Sequence, residues 1–311
     1  MLGTSSPKGS AMSWFWLALT AAFSVALGDA LNKKFFSREG MVLMAVARTL
    51  GPLPFLVAFL LATFSPAEFL SRTLLAFGNP DFVRTVALLL PLETLAILLY
   101  MEAIRISPLS LTLPLLSFTP AFIILTGYVV LGERLSWAGI GGILLVVAGS
   151  YLLNLPAVSE GPLAPFRALM RERGSLLMFG VALIYAVTSV LGKRAVLLSD
   201  PLWFAGTYFV ILGLFVPAVL VILKRPPLLS FLRLNAKGVL LLGLTQAFMV
   251  VAHMKAISLA PAAYMIAVKR TSILFGVLLG GAFFRESHLR IRLFAALVMV
   301  SGVFLLALTQ K

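Results

Sequence analysis

Residues Ala262–Phe283 read AAYMIAVKRTSILFGVLLGGAF. As a helix, this stretch is long enough to cross a bilayer core of about 30 Å. Two adjacent cations, Lys269 and Arg270, sit in its first half. One such charge at mid-membrane costs roughly 2.5–3.5 kcal/mol on insertion scales. The helix is therefore expected to line a polar cavity in which its cations meet something negative. Neighbouring residues lie about 100° apart around a helix, so one carboxylate does not easily neutralise both. Lys supplies a point charge and Arg a bidentate fork suited to phosphate or carboxylate. Three roles stay open for the pair: contact with an anionic substrate, gating or counter-ion pairing to a carboxylate, and snorkelling to the headgroups.

The rest of the 311-residue chain agrees with a membrane setting. It is 61% hydrophobic and 12% charged, with mean hydropathy +1.06, where a soluble domain carries about 25% charged residues. This is an all-α integral membrane protein. The net charge of +14 resides mostly in short loops, where cations anchor to anionic lipid rather than to nucleic acid. The chain has no cysteine and two histidines, so no disulfide, metal centre or cofactor is expected. The first apolar run, beginning at Ser13, is too long for a signal-peptide core and lacks a small-residue cleavage site. It is read as an uncleaved first span, preceded by a disordered tail at 1–12.

Ten apolar runs follow one another, at about 13–32, 42–63, 84–104, 109–130, 137–154, 175–194, 202–223, 238–257, 262–283 and 289–308. Lipid offers backbone groups no hydrogen bonds, so each run is expected to be a helix. Continuous rather than alternating apolarity excludes a barrel. An internal repeat is visible: residues 101–153 align without a gap to 254–306 at an offset of 153. MEAIRISP falls on MKAISLAP, Glu133 on Glu286 and Gly149 on Gly302. Earlier in each half the offset is 160, and LNKK at 31–34 falls on LGKR at 191–194. The expected architecture is ten transmembrane helices as two inverted five-helix repeats, at 13–154 and 175–308, joined by a loop at 155–174. An odd number of spans per half turns the second half upside down, the plan of many secondary transporters.

Leu131–Leu153 (LGERLSWAGIGGILLVVAGSYLL), its partner 284–306 (FRESHLRIRLFAALVMVSGVFLL) and the five-plus-five plan resemble the EamA-like branch of the drug/metabolite transporter superfamily. The resemblance covers essentially the whole chain. It implies a ten-helix carrier that moves small metabolites across a bacterial inner membrane, often outward. Lys269-Arg270 resembles a Lys-Arg pair that holds substrate phosphate in the ninth helix of organic-phosphate translocators of that superfamily. Asn32-Lys33 resembles an Asn-Lys pair that ends a helix in its sugar-phosphate and nucleotide-sugar carriers. The run 109–130 has no lysine or arginine, so the full phosphate cage is not matched.

Other polar residues inside apolar runs are candidates. At the offset of 153, Glu93 falls on Gln246 and Tyr100 on His253. Each pair is seven residues apart, nearly two turns, and so shares one helix face. The third and eighth helices are expected to meet across the repeat axis, with a cavity between them. Glu93 handles substrate or protons, or forms a structural ion pair with Lys269 or Arg270, or sits at an interface. A carboxylate that takes up a proton is what a proton-coupled carrier needs. Tyr264 and Ser272 lie near the cation pair; Tyr264 is equally readable as an interfacial aromatic. Asp29, Asn32 and Lys33 end the first helix, where Asp29 gates, pairs with Lys33 or rests at headgroup level. Glu133 and Glu286 are read as structural, bonded to helix N-terminal amides or to Arg134 and Arg285.

Gly276 and Gly280, with Gly139, Gly142 and Gly149, permit close helix packing. Pro52, Pro54, Pro114 and Pro120 fall inside spans and kink them. Trp14, Trp16, Trp137 and Trp203 are read as belt anchors. The connections 64–83, 155–174 (with Phe166, Leu169 and Met170) and 224–237 suit either brief interfacial helices or solvated loops. Loops on the N-terminal side carry eight Lys or Arg and the other side fourteen. The positive-inside rule thus places the termini outside, whereas the family resemblance implies cytoplasmic termini.

Two functions compete. One is a secondary carrier for a small polar metabolite, anionic or zwitterionic, using a proton gradient and sufficient as a monomer. The other is a flippase of the same fold for a lipid or lipid-linked anion. A membrane enzyme is disfavoured because Asp occurs only at 29, 81 and 200 and no loop holds a His/Asp cluster. An ATP-driven pump is excluded by the lack of a Gly-rich Lys-Ser/Thr loop.

Overall fold

The computed structural model describes residues 7–107, 112–152, 172–275 and 289–309. Phe166, Leu169, Met170, Gly276, Gly280 and Glu286 lie outside the described residues, as do residues 1–6 of the expected tail. All elements among the described residues are helical. They are α1 (Pro7–Phe36), α2 (Gly40–Leu50), α3 (Leu53–Thr63), α4 (Pro66–Phe77), α5 (Pro80–Ile106), α6 (Thr119–Leu131), α7 (Trp137–Leu152), α8 (Arg173–Leu197), α9 (Pro201–Lys224), α10 (Leu228–Leu234), α11 (Ala236–Leu259), α12 (Ala262–Lys269) and α13 (Leu289–Leu308). The tail expected at 1–12 is thus helical from Pro7, a residue pre-set for a first helical turn.

Five stretches are long and apolar enough to cross a membrane: Ser13–Thr63, Pro80–Ile106, Arg173–Leu197, Pro201–Lys224 and Ala236–Leu259. Leu115–Leu131, Trp137–Leu152 and Phe294–Leu308 are shorter apolar helices. Ser13–Thr63 is 51 residues long, far more than one span needs. It is broken by a 3-10 turn at Ser37–Glu39 and by Gly40, whose φ of +84° suits only a residue without Cβ. The chain reverses there, so α1 and α2–α3 run as separate limbs.

Proline shapes two of the limbs. Pro52 stands between α2 and α3, as the N-cap of α3. In the fourth apolar run, Leu113–Phe118 winds as a 3-10 helix before α6 begins with Pro120 in its first turn. The connection 64–83 holds a helix, α4, opened by a capping box in which Ser65 Oγ accepts from the Glu68 amide (3.3 Å) and the Ser65 amide donates to Glu68 Oε2 (2.9 Å). Arg72 pairs with Asp200 (2.8 Å), and the Trp203 indole N–H donates to Thr73 Oγ1 (3.2 Å), fastening α4 to the start of α9. Leu70, Leu74 and Leu75 on α4 remain exposed, as an interfacial helix requires. The connection 224–237 holds α10.

Packing is dominated by three pairs: α7 with α13, α1 with α11, and α5 with α8. The first is a backbone-to-backbone crossing. A Cβ on Gly149 would stand 2.6 Å from the Met299 amide nitrogen and 2.8 Å from the Ala295 carbonyl. Neither backbone atom can yield as a flexible side chain would. Two tryptophans depart from the expected belt. Trp14 and Trp203 are fully packed in the core, while Trp16 and Trp137 are exposed as anchors should be.

Gly149→Ala should lower the apparent melting temperature of the purified protein, since overpacking typically costs about 1–3 kcal/mol. Gly180, whose added Cβ would meet nothing within 4 Å, serves as the control: Gly180→Ala should leave melting unchanged or raise it. Equal melting of the two variants would contradict the tight crossing.

Candidate functional site

A cavity of about 130 Å³ lies where α1, α2, α5, α8, α9, α11 and α12 converge, with Leu113 and Leu116 of the 3-10 segment in its wall. Eight of the residues singled out in the sequence line it: Asp29, Glu93, Tyr100, Gln246, His253, Lys269, Arg270 and Ser272. Their helices are arranged differently from expectation. The third span, α5, packs on α8, and the eighth, α11, packs on α1. The cavity lies between these two pairs rather than in a direct α5–α11 seam.

One wall is a closed ionic cluster. Arg48 Nη1 donates to Asp29 Oδ1 (2.8 Å), and the Tyr100 hydroxyl donates to Asp29 Oδ2 (2.6 Å). The Arg48 guanidinium also lies over the Tyr100 ring, 5.1 Å from its centroid. Side-chain exposure is 10% for Arg48 and 3% for Asp29, so Asp29 is a core group paired with Arg48. The expected pairing with Lys33 and the headgroup-level position are both corrected. Asp29 is consumed locally because its two oxygens are already bonded across three helices.

The cation pair lines the same cavity. Lys269 closes the last turn of α12, and Arg270 caps it. The chain turns at Arg270–Thr271 before resuming a helical turn at 272–275, so the expected continuous ninth helix is interrupted at its charges. A helix C-terminus favours cations by about 0.3–1 kcal/mol each. Lys269 Nζ lies 3.0 Å from His253 Nδ1 and 3.5 Å from Met249 Sδ. Among the described residues, the ion pairs within 4.0 Å include none of Glu93, Lys269 and Arg270. The expected structural pair between Glu93 and the ninth-helix cations is therefore absent at that distance. Among the described residues, Arg270 Nε, Gln246 Nε2 and the Tyr208 hydroxyl are buried without a hydrogen-bond partner, and all three residues line the cavity. Buried donors are ordinarily satisfied, so their concentration at one cavity marks a place for a polar occupant.

Three candidates lie elsewhere. Asn32 is buried and donates to the Met44 carbonyl (3.2 Å), a helix-to-helix tie. Lys33 Nζ donates to the Ser107 carbonyl (2.8 Å) at the end of α5. Tyr264 is buried away from the cavity, its hydroxyl 3.3 Å from the Ser136 amide and Oγ. Glu133 bonds the Ala262 amide, a helix N-terminus as expected, but its cation is Lys193 rather than Arg134. Arg48, Tyr185, Thr188 and Tyr208 line the cavity without having been singled out. Arg48 carried the same signal as Lys269, a lone cation inside the apolar run 42–63. Loops and span ends account for the other 22 Lys and Arg residues, leaving Arg48, Lys269 and Arg270.

The sequence matches the EamA-like transporter family over residues 12–155 and 172–308. The chain belongs to that family. It is a multi-pass membrane transporter, not an enzyme. It is 32% identical over 152 residues to a probable amino-acid metabolite efflux pump of Salmonella typhimurium (strain LT2); the match spans 46% of this chain and 48% of the relative. A solved crystal structure superposes on 96% of this chain and 97% of its own length, with TM-score 0.67 at 19% identity. That likeness shows a shared fold. The transporter thus lines one cavity with the Asp29–Arg48 ion pair and with two cations, Lys269 and Arg270, that have no ion pair within 4.0 Å among the described residues.

Breaking the ion-paired wall from one side should be costly. Asp29→Asn leaves Arg48 buried without its counter-charge, a loss of about 3–5 kcal/mol. The double variant Asp29→Asn/Arg48→Met should lose less than the sum of the single changes in thermal unfolding. Additive losses would mean that the pair is not coupled.

Proposed function

We propose that this EamA-like transporter is a secondary carrier that exports or exchanges a small metabolite bearing a carboxylate or other anionic group. The observation that carries this reading is the charge of the cavity. Arg48, Lys269 and Arg270 face it against Asp29 and Glu93, and Asp29 is already held by Arg48. The anionic group is bound by Lys269 and Arg270, with Gln246 donating beside them. Glu93 then receives an ammonium group or a proton, which makes a zwitterionic amino acid a fitting occupant. The printed name of the Salmonella relative, an amino-acid metabolite efflux pump, supports the substrate class and the outward direction. A cavity of about 130 Å³ suits a solute of this size and lends no support to a lipid-linked one.

Transport proceeds by alternating access between two inverted five-helix repeats. Two matched pairings support the repeat. Under the offsets in the sequence, α1 corresponds to α8 and α5 to α11, and these helices pack as the exchanged pairs α1–α11 and α8–α5. Lys33 donates to the Ser107 carbonyl and Lys193 to the Ala260 carbonyl. Both partners of the second bond are the repeat counterparts of the first. The setting is a bacterial inner membrane, and one chain supplies both halves.

The test is uptake of labelled amino acids, phosphorylated metabolites and amines into proteoliposomes, with and without a proton gradient. Losing a charge-assisted hydrogen bond costs about 1.5–3 kcal/mol, so Lys269→Ala/Arg270→Ala should lose anion transport at least tenfold. Glu93→Gln should abolish stimulation by the gradient while substrate exchange persists. Transport of a neutral or cationic solute that survives removal of both cations overturns the reading.

A further inference from the structure

One buried ion pair stands outside the cavity wall and serves no role in the site described above. Lys193, near the end of α8, is 7% exposed, an unusual depth for a lysine. Its Nζ bonds Glu133 Oε1 and the Ala260 carbonyl. Glu133 also accepts the Ala262 amide at 3.0 Å through Oε2. Gly132, at φ +67°, ends α6 in the left-handed conformation and turns the chain back so that the Glu133 carboxylate lies over Gly127. Three separate segments are thereby clamped: the turn after α6, the last turns of α8 and the start of α12.

The clamp adjoins the cavity at two points. Gly192, the residue before Lys193, lines it. The eight-residue helix α12 begins at the clamp with Ala262 and ends at Lys269, about 10 Å away along its axis. Further ion pairs crowd the same end of the bundle, Arg72 with Asp200 (2.8 Å) and Arg194 with Asp81 (3.8 Å). At the other end, Lys33 reaches the Ser107 carbonyl, and among the described residues no carboxylate lies within 4.0 Å of it. At that end the Ser107 hydroxyl donates to Glu172 and Arg105 pairs with Glu102 on its own helix (2.7 Å), so among the described residues no ion pair between helices ties it, in contrast to the N-terminal face.

We propose that Lys193, Glu133 and the Ala262 amide form a latch that holds the N-terminal face of the bundle shut and breaks when the cavity opens there. A buried pair is suited to this work. Broken from one side inside the protein it is costly, but when the segments part, water rehydrates both charges and offsets the loss. The contact is therefore stable when closed and separable when wet. The proposal rests on the alternating-access reading, but its test needs no substrate, so the wrong choice of solute in a transport assay does not bear on it.

The chain contains no cysteine, so Ser189→Cys, in the cavity wall one turn before Lys193, is a single reporter. It is reconstituted in proteoliposomes, where a cleavable N-terminal tag identifies molecules with that face outward, and a membrane-impermeant maleimide is added outside. The parent should label slowly. Lys193→Met and Glu133→Gln should each label at least threefold faster, and Lys193→Arg should keep the parental rate. Unchanged labelling in the Met and Gln variants overturns the latch, as does equal acceleration by Arg. Hydrogen exchange of the Ala262 amide, with the clamp left intact, provides a second reading should the variants fail to fold. Opening exposes the amide and the reporter thiol together, so the two opening rates should agree. Fast labelling over a protected amide overturns the proposal.

Discussion

A guanidinium in the core of a bilayer must find its counter-charge within the protein, and Arg48 finds it in Asp29. That requirement orders the centre of the molecule. It draws α2 against α1, and through the Tyr100 hydroxyl it brings in α5. Both oxygens of Asp29 and the face of the Tyr100 ring are used in the same cluster. The pair therefore offsets its own charge and leaves Lys269, Arg270 and Glu93 as the cavity-lining charges with no ion pair within 4.0 Å among the described residues.

Much of this site was legible because lipid penalises polar residues without exception. Lys269-Arg270 and Glu93 stood out as charges inside apolar runs. Tyr100, Gln246 and His253 followed from their helical spacing and their equivalence in the repeat. The same reasoning applied to Arg48 would have found it, but not its pairing to Asp29, which only the packing of α2 on α1 reveals. Residues near helix ends were harder to read. Asn32, Lys33 and Tyr264 are polar because they tie one segment to another through carbonyls and amides, and a sequence does not distinguish a tie from a ligand. Trp14 and Trp203 sit at span ends yet face inward, since neighbouring helices cover them there.

The helices themselves were legible from continuous apolarity, while their adjacency was not. Matching polar faces on the third and eighth spans suggested direct contact. The helices instead pack as α5 on α8 and α11 on α1, while α7 and α13, which match at the offset of 153, meet directly. Local breaks were also only partly visible. Proline announced the 3-10 winding at Leu113–Phe118, but nothing in AVKRTS announced the turn at Arg270–Thr271, where chain geometry follows from tertiary packing.

The excess of cations over carboxylates around the cavity has an electrical consequence. An elementary charge carried across a membrane potential of 100 mV exchanges about 2.3 kcal/mol with the field. Any share of the unpaired cavity charge that shifts along the membrane normal during turnover ties the cycle to voltage. Under the proposed carrier reading, an occupant of net negative charge cancels one positive charge and makes the empty and loaded forms respond differently to the same potential, whereas a zwitterion leaves the balance of charge unchanged.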